Sequence, residues 1–146
     1  MQIEMYNEIP EFRSNNLAKK HLLDAGYDIR AAHNFVAFAK NDAIVCTGLH
    51  INIPPGYCGI IQSRSGHAIK SSIEVSNGGV IDAGYHGEIR LKIYNNSFET
   101  ISFRKGDRIA QIVFQKVPDV QIVERDMESW ISTDRGKKGF GSSGQS

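Results

Sequence analysis

The chain has 146 residues, which suits one domain at the usual ~100–200 residues per domain. Hydrophobic residues make up 40% and charged residues 23%, a balance that excludes wholesale disorder. Lys and Arg number 17 against 16 acidic residues, so with a net charge of +1 a strongly basic, nucleic-acid-wrapping surface is not the default reading, and only a local basic site is left open. No apolar run approaches the about 18–20 residues of a membrane helix. Met1–Gln2–Ile3–Glu4–Met5–Tyr6 lacks the basic start and apolar run of a signal peptide. The expectation is an intracellular, cytoplasmic protein that neither enters membranes nor binds nucleic acid directly. Cys46 and Cys58 lie in apolar sequence and read as reduced core thiols.

In chain order, a first strand is expected within Met1 to Asn16, and Asn16 to Leu23 offers a helical turn or two. Ala43 to Ile53 alternates as one long strand, ended by Pro54–Pro55–Gly56. Tyr57 to Ile61 starts the next strand, and Ser65 to Ser71 has room for a short helix after Arg64. Glu88 to Ile93 alternates charged and aliphatic residues, which predicts a half-buried strand before a turn at Asn95–Asn96–Ser97. Thr100 to Arg104 is a short strand, and Lys105–Gly106–Asp107 turns the chain. Ile109 to Phe114 is apolar on both faces, interrupted by Gln111, so a central buried strand is expected. Val120 to Val123 reads as a last strand. Many short strands with turns between them predict an all-β sandwich or barrel with little helix. From Thr133 the composition turns to Gly, Ser and charge, so the domain is placed at 1–132 and a flexible arm at 133–146.

Four places carry chemistry. The histidines pair at no zinc spacing. Cys46 and His50, four apart in a strand, would stand about 13 Å apart at ~3.3 Å per residue. Gln62–Ser63–Arg64–Ser65–Gly66 is not a serine-nucleophile elbow. It does place an arginine among small residues with exposed amides, which suits a phosphate. Asp82 ends the apolar run Gly79–Val80–Ile81 before a turn, where a partly desolvated carboxylate could accept a proton from water, although a hairpin cap is the commoner role of an isolated Asp-x-Gly. In the arm, Arg135, Lys137 and Lys138 supply charge and Phe140 a stacking face, but the pattern is no Walker loop.

The order of these segments is more telling than any one of them. They run Ala25–Gly26–Tyr27–Asp28–Ile29–Arg30–Ala31, then Arg64–Ser65–Gly66, then Gly79 to Ile89, then Gly106 to Gln111, then Arg135 to Gly144. This succession resembles the five motifs of the trimeric dUTP pyrophosphatase (dUTPase) family. The resemblance implies a jelly-roll β-sandwich or distorted barrel. It implies a homotrimer whose active sites are shared between subunits, and Mg²⁺ bound mainly through the triphosphate. It further implies hydrolysis of dUTP to dUMP and pyrophosphate.

Roles follow the same resemblance. Asp82 would activate the attacking water and hold the 3′-hydroxyl. Tyr85 would pack under the deoxyribose and exclude a 2′-hydroxyl. Ser76, Asn77, Gly79, Val80 and Ile81 would line the uracil pocket, with Arg90 nearby. Arg64, Ser65, Gly66 and Gln111 would meet phosphates, and Asp28 the waters on Mg²⁺. Arg135 would meet the γ-phosphate, Phe140 would stack on uracil, and Gly141, Ser142 and Ser143 would close over the phosphates. The chain departs from the family pattern at Ser63, where proline is common, and at Gly84, where a second acid is frequent. The alternatives weighed are a dUTP-responsive regulatory protein and a dCTP deaminase. The deaminase needs a glutamate where this chain has Lys92.

Overall fold

The computed structural model describes residues 1–13, 16–76, 79–127 and 129–130. Eleven strands and one short α-helix follow in order: β1 (Glu4–Asn7), β2 (Tyr27–Arg30), β3 (Phe35–Ala37), β4 (Asp42–Cys46), β5 (Leu49–Asn52), β6 (Tyr57–Gln62), α1 (Ser65–Ser71), β7 (Ile73–Val75), β8 (Val80–Ile81), β9 (Arg90–Asn95), β10 (Ile101–Phe103) and β11 (Arg108–Lys116). A 3-10 turn at Pro10–Phe12 lies between β1 and β2. Every strand pairing among the described residues is antiparallel. The largest sheet runs β2-β11-β6-β8, and a second runs β4-β9-β7. Two-stranded ribbons β1-β5 and β10-β3 complete the sandwich. Alternation along β9 buries Leu91 and Ile93 and exposes Arg90 and Lys92. The core gathers Ile29, Val45, Leu49, Ile93, Ile109 and Ile112, each at most 2% exposed.

As expected, β11 is central, with β2 on one side and β6 on the other. It is less buried than expected: Ile109, Ala110 and Ile112 are buried, whereas Gln111, Val113 and Phe114 are half-buried and Gln115 and Lys116 exposed. The expected single strand from Ala43 to Ile53 is instead two strands in different sheets. β4 pairs with β9, while β5 pairs with β1. The break falls at Thr47 and Gly48, where Gly48 has φ +63°, a region glycine enters at little cost. Glu88 Oε1 accepts the amides of Thr47 at 3.1 Å and Gly48 at 2.8 Å. Those two amides thus leave the ladder and are satisfied by a side chain.

Two further expectations fail. Asn16 to Leu23 forms no helix. Leu17 N–H donates to the Asp28 carbonyl and Asp28 N–H to the Ala18 carbonyl, so this segment bridges onto β2. Leu22 and Leu23 are left 91% and 95% exposed, so no apolar face existed for a helix to bury. Val120 to Val123 is not a strand either. Val120 and Ile122 lie exposed, because no strand edge of the described residues pairs with them. Cys46 and Cys58 are both free, but only Cys58 is a core thiol as expected; Cys46 is half-buried. No helix among the described residues is long and apolar enough to cross a membrane.

Candidate active site

Three neighbouring strands build a polar row. In register, Gln111 of β11 stands opposite Asp28 of β2 on one side and Gln62 of β6 on the other. The next residues along, Ile29, Ile61 and Ile112, are buried in the core. Period-2 alternation therefore sends this row to the opposite face. Chain continuation from Gln62 brings Arg64 to the N-terminal end of α1. Arg64 Nε donates to Asp28 Oδ1 at 2.9 Å, and Arg64 Nη1 to the Arg108 carbonyl at 3.3 Å. Arg108 Nη1 donates to Asp28 Oδ2 at 3.2 Å. Among the described residues the Arg64 guanidinium bonds through Nε and Nη1, not Nη2.

Sequence reasoning passed over Arg108 as a site residue. Strict alternation from Gln111 would turn it to the other face. The register between β11 and β2 shifts between Arg108 and Ala110, and this irregularity brings Arg108 back onto Asp28. Neighbouring arginine and glutamine within one motif were the available signal.

Gln111 is held from both sides. Its Nε2 donates to the Ser63 carbonyl at 3.1 Å. Gly26 packs so closely that a Cβ there would lie 2.2 Å from Gln111 Oε1. Gly26, Asp28, Arg64 and Gln111 line a cavity of about 380 Å³ together with Lys20, Asp24, Ser65 and Gly66. The predicted Asp28, Arg64, Ser65, Gly66 and Gln111 are thus brought together.

The remaining predicted residues lie elsewhere on the chain. Ser76, Gly79, Ile81 and Arg90 line a smaller cavity of about 240 Å³ between β7, β8 and β9. Val80 is exposed, at 58%, on the other face of β8. Asp82 and Tyr85 sit on the turn after β8, both exposed, so Asp82 is not the partly desolvated carboxylate expected from the apolar run before it. Tyr85 N–H donates to the Asp82 carbonyl at 3.1 Å, closing the turn. Tyr85 Oη donates to the Glu88 carbonyl at 2.8 Å, and a Cβ on Gly87 would lie 2.6 Å from that hydroxyl. The ring therefore rests where only glycine leaves room. Asn77, Arg135, Phe140, Gly141, Ser142 and Ser143, with the arm 133–146, lie outside the described residues.

The Asp82 turn is braced from behind. Glu88 anchors its far end on Thr47 and Gly48, as above. His50 Nδ1 meets the His86 carbonyl at 3.0 Å, and His50 Nε2 meets Glu8 Oε1 at 2.9 Å. Both partners accept only, so both ring nitrogens are satisfied as donors in the protonated ring. The His86 carbonyl, then Glu8, hold the His50 pKa above its ordinary value. Neither Glu88 nor His50 was read from sequence, because their role depends on contacts 36 to 42 residues away.

Fold and cavities together define a jelly-roll protein with a polar, arginine-lined cavity. A family model described as dUTPase matches residues 13–144. A deoxyuridine 5′-triphosphate nucleotidohydrolase of Candida albicans is 38% identical over 127 residues, covering 87% of this chain and 79% of that protein. A variant dUTPase of Staphylococcus bacteriophage 80alpha, solved with dUpNHpp, superposes with TM-score 0.81 at 28% identity, covering 99% of each chain. A variant dUTPase from phage phi11 of S. aureus, whose structure reveals coordination of a structural Mg(II) ion, superposes with TM-score 0.73 at 28% identity over 86% of this chain and 98% of that one. The chain belongs to the dUTPase family.

Proposed function

We propose that this protein hydrolyses dUTP to dUMP and pyrophosphate by attack of water on the α-phosphorus. The observation that carries the reading is the convergence of Asp28, Arg64 and Gln111 from β2, the start of α1 and β11 on one polar cavity. An arginine clamped by a carboxylate is preorganised for a phosphate oxygen. Ser65 and Gly66 add backbone amides beside it.

The smaller cavity beside β8 is the base pocket. Ser76, Gly79 and Ile81 line it, and selection of uracil would rest on how these residues meet the ring edge. Tyr85, held by Glu88, packs under the sugar and rejects a 2′-hydroxyl. Asp82 takes the proton of the attacking water and steadies the 3′-hydroxyl. The protein's task in this in-line displacement is positioning and charge neutralisation.

Among the described residues no three His, Cys, Asp or Glu side chains cluster as a metal cage. Asp28 spends two of its about four acceptor positions on Arg64 and Arg108, so it retains capacity for metal-bound water. These residues fit Mg²⁺ carried by the triphosphate and held through its waters, where it would neutralise charge on the leaving group.

A homotrimer completes the site. The phosphate cavity and the base pocket are separate on one chain, and Asp82 and Tyr85 stand exposed. Both facts suit a site closed by further copies, with Arg135, Phe140, Gly141, Ser142 and Ser143 of an arm covering the substrate. The deaminase reading finds no base, because Lys92 is a cation paired with Asp42 at 2.8 Å.

Product analysis tests the function. Purified protein with Mg²⁺ should release dUMP and pyrophosphate from dUTP and leave dCTP intact, and Asp82→Asn should abolish turnover. Ammonia from dCTP, or no turnover of dUTP, would refute the assignment.

A further inference from the structure

Ser63 stands between the two cavities and touches the frame of both. Its carbonyl accepts Gln111 Nε2 at 3.1 Å, on the phosphate side. Its hydroxyl Oγ accepts the Val75 amide at 2.8 Å, on the base side. Val75 is the last residue of β7, and the next residue, Ser76, lines the base pocket.

The Val75 bond is unusual in kind. Among the described residues β7 pairs with β9 alone, so no described strand lies along its second edge. Ser76 N–H turns toward β9 and donates to the Lys92 carbonyl at 2.7 Å. Val75 N–H, one residue earlier, turns the other way, as alternation along an antiparallel strand requires. Ser63 supplies the acceptor that a neighbouring strand would have given. A half-buried amide left without one costs free energy, so this contact is worth keeping.

We propose that Ser63 is a positioning residue that couples the phosphate cavity to the base pocket, so that occupation of one changes affinity at the other. This rests on the reading of the two cavities given above. A ligand that draws in Gln111 pulls on the Ser63 carbonyl. The same residue, through its hydroxyl, sets where β7 ends and where Ser76 faces the base. Ser63 touches no substrate itself in this scheme. Coupling of this sort is reciprocal, because it is a free energy shared by two sites.

Calorimetric titration of 2′-deoxyuridine, with and without saturating inorganic triphosphate and Mg²⁺, tests the coupling on the full chain. The wild type should show a change of about 5-fold in deoxyuridine affinity, the lower end of ordinary coupling. Ser63→Ala should bring the ratio to near 1, Ser63→Thr should restore it by keeping Oγ, and Gln111→Leu should lose it by the other route. Thermal melts establish that each variant is folded. Should Ser63→Ala fail to fold, the Gln111→Leu and Ser63→Thr arms still decide. No coupling in the wild type, coupling intact in Ser63→Ala or Gln111→Leu, or loss in Ser63→Thr would each overturn the proposal. Turnover of dUTP is measured separately on the wild type. Its absence beside intact coupling would sink the proposed hydrolysis and leave the role of Ser63 standing.

Discussion

Asp28 accepts hydrogen bonds from two arginines at once, Arg64 Nε at 2.9 Å on Oδ1 and Arg108 Nη1 at 3.2 Å on Oδ2. The carboxylate side chain is 15% exposed, against 25% for Arg64 and 38% for Arg108. One partly desolvated anion therefore holds two cations that would otherwise repel each other. Asp28→Asn keeps the shape and removes the charge. It is expected to lower kcat/KM for dUTP by about 10–150-fold, because charge-assisted hydrogen bonds are worth ~1.5–3 kcal/mol. Steady-state kinetics with a thermal melt check this, and an unchanged kcat/KM would show that Arg64 does not need Asp28.

Gly26 gives Gln111 its place. A Cβ at position 26 would lie 2.2 Å from Gln111 Oε1 and 2.8 Å from Cδ. These atoms are the far end of a flexible side chain, so Gly26→Ala should move Gln111 rather than unfold the sheet. The expected result is a rise in KM for dUTP of about 10-fold, the scale of one lost hydrogen bond of ~1 kcal/mol or slightly more. Little change in melting temperature should accompany it. A variant with unaltered KM would remove Gln111 from the phosphate site.

Tyr85 is the discriminating aromatic in the proposed site, and Gly87 keeps it in position. A Cβ on Gly87 would come within 2.6 Å of Tyr85 Oη and 2.8 Å of Cζ. Gly87→Ala should displace the ring, break its 2.8 Å bond to the Glu88 carbonyl, and weaken rejection of UTP relative to dUTP. The measurement is the ratio of kcat/KM for the two nucleotides. A fall of about 10-fold in that ratio is expected if a bond of ~1 kcal/mol and the ring packing are both lost. A ratio equal to the wild type's would mean the ring does not read the sugar.

His50 gives stability a pH dependence with a definite sign. Its pKa is raised above 6.5 by the His86 carbonyl first and Glu8 second, with Glu88 also nearby. Tyr6 packs its ring 5.8 Å away. A group raised in the folded state contributes its full stabilisation below the unfolded pKa, near 6.5. That contribution disappears as pH climbs through the folded value. Melting temperature should therefore decline from about pH 6.5 upward, and His50→Gln should flatten that part of the profile. A wild-type profile identical to that of His50→Gln would dismiss the brace.

Much of this architecture was legible before any coordinates. Alternation along Glu88 to Ile93 announced β9, and the doubly apolar run from Ile109 to Phe114 announced the centre of the largest sheet. Asp28, Arg64, Ser65, Gly66 and Gln111 were legible as one site only through the resemblance, and the register of β2, β11 and β6 then gave it a physical basis. Other features were illegible because their causes are distant in sequence. Arg108 joins Asp28 through an irregular register 80 residues away. Val120 to Val123 has strand composition and still makes no strand, because composition supplies no partner edge.

The amino-acid order by itself determined the strand periodicity, the turns at Pro54–Pro55–Gly56 and Lys105–Gly106–Asp107, and hence an all-β chain. Those signals are local: side-chain alternation and backbone preference act within a few residues. Only the tertiary structure decided that Ala43 to Ile53 divides between two sheets, that Glu88 satisfies the amides at the break, and that one serine joins two cavities. Each depends on pairings or hydrogen bonds between residues 12 to 52 positions apart, and a pairing of that range is settled by the packed whole.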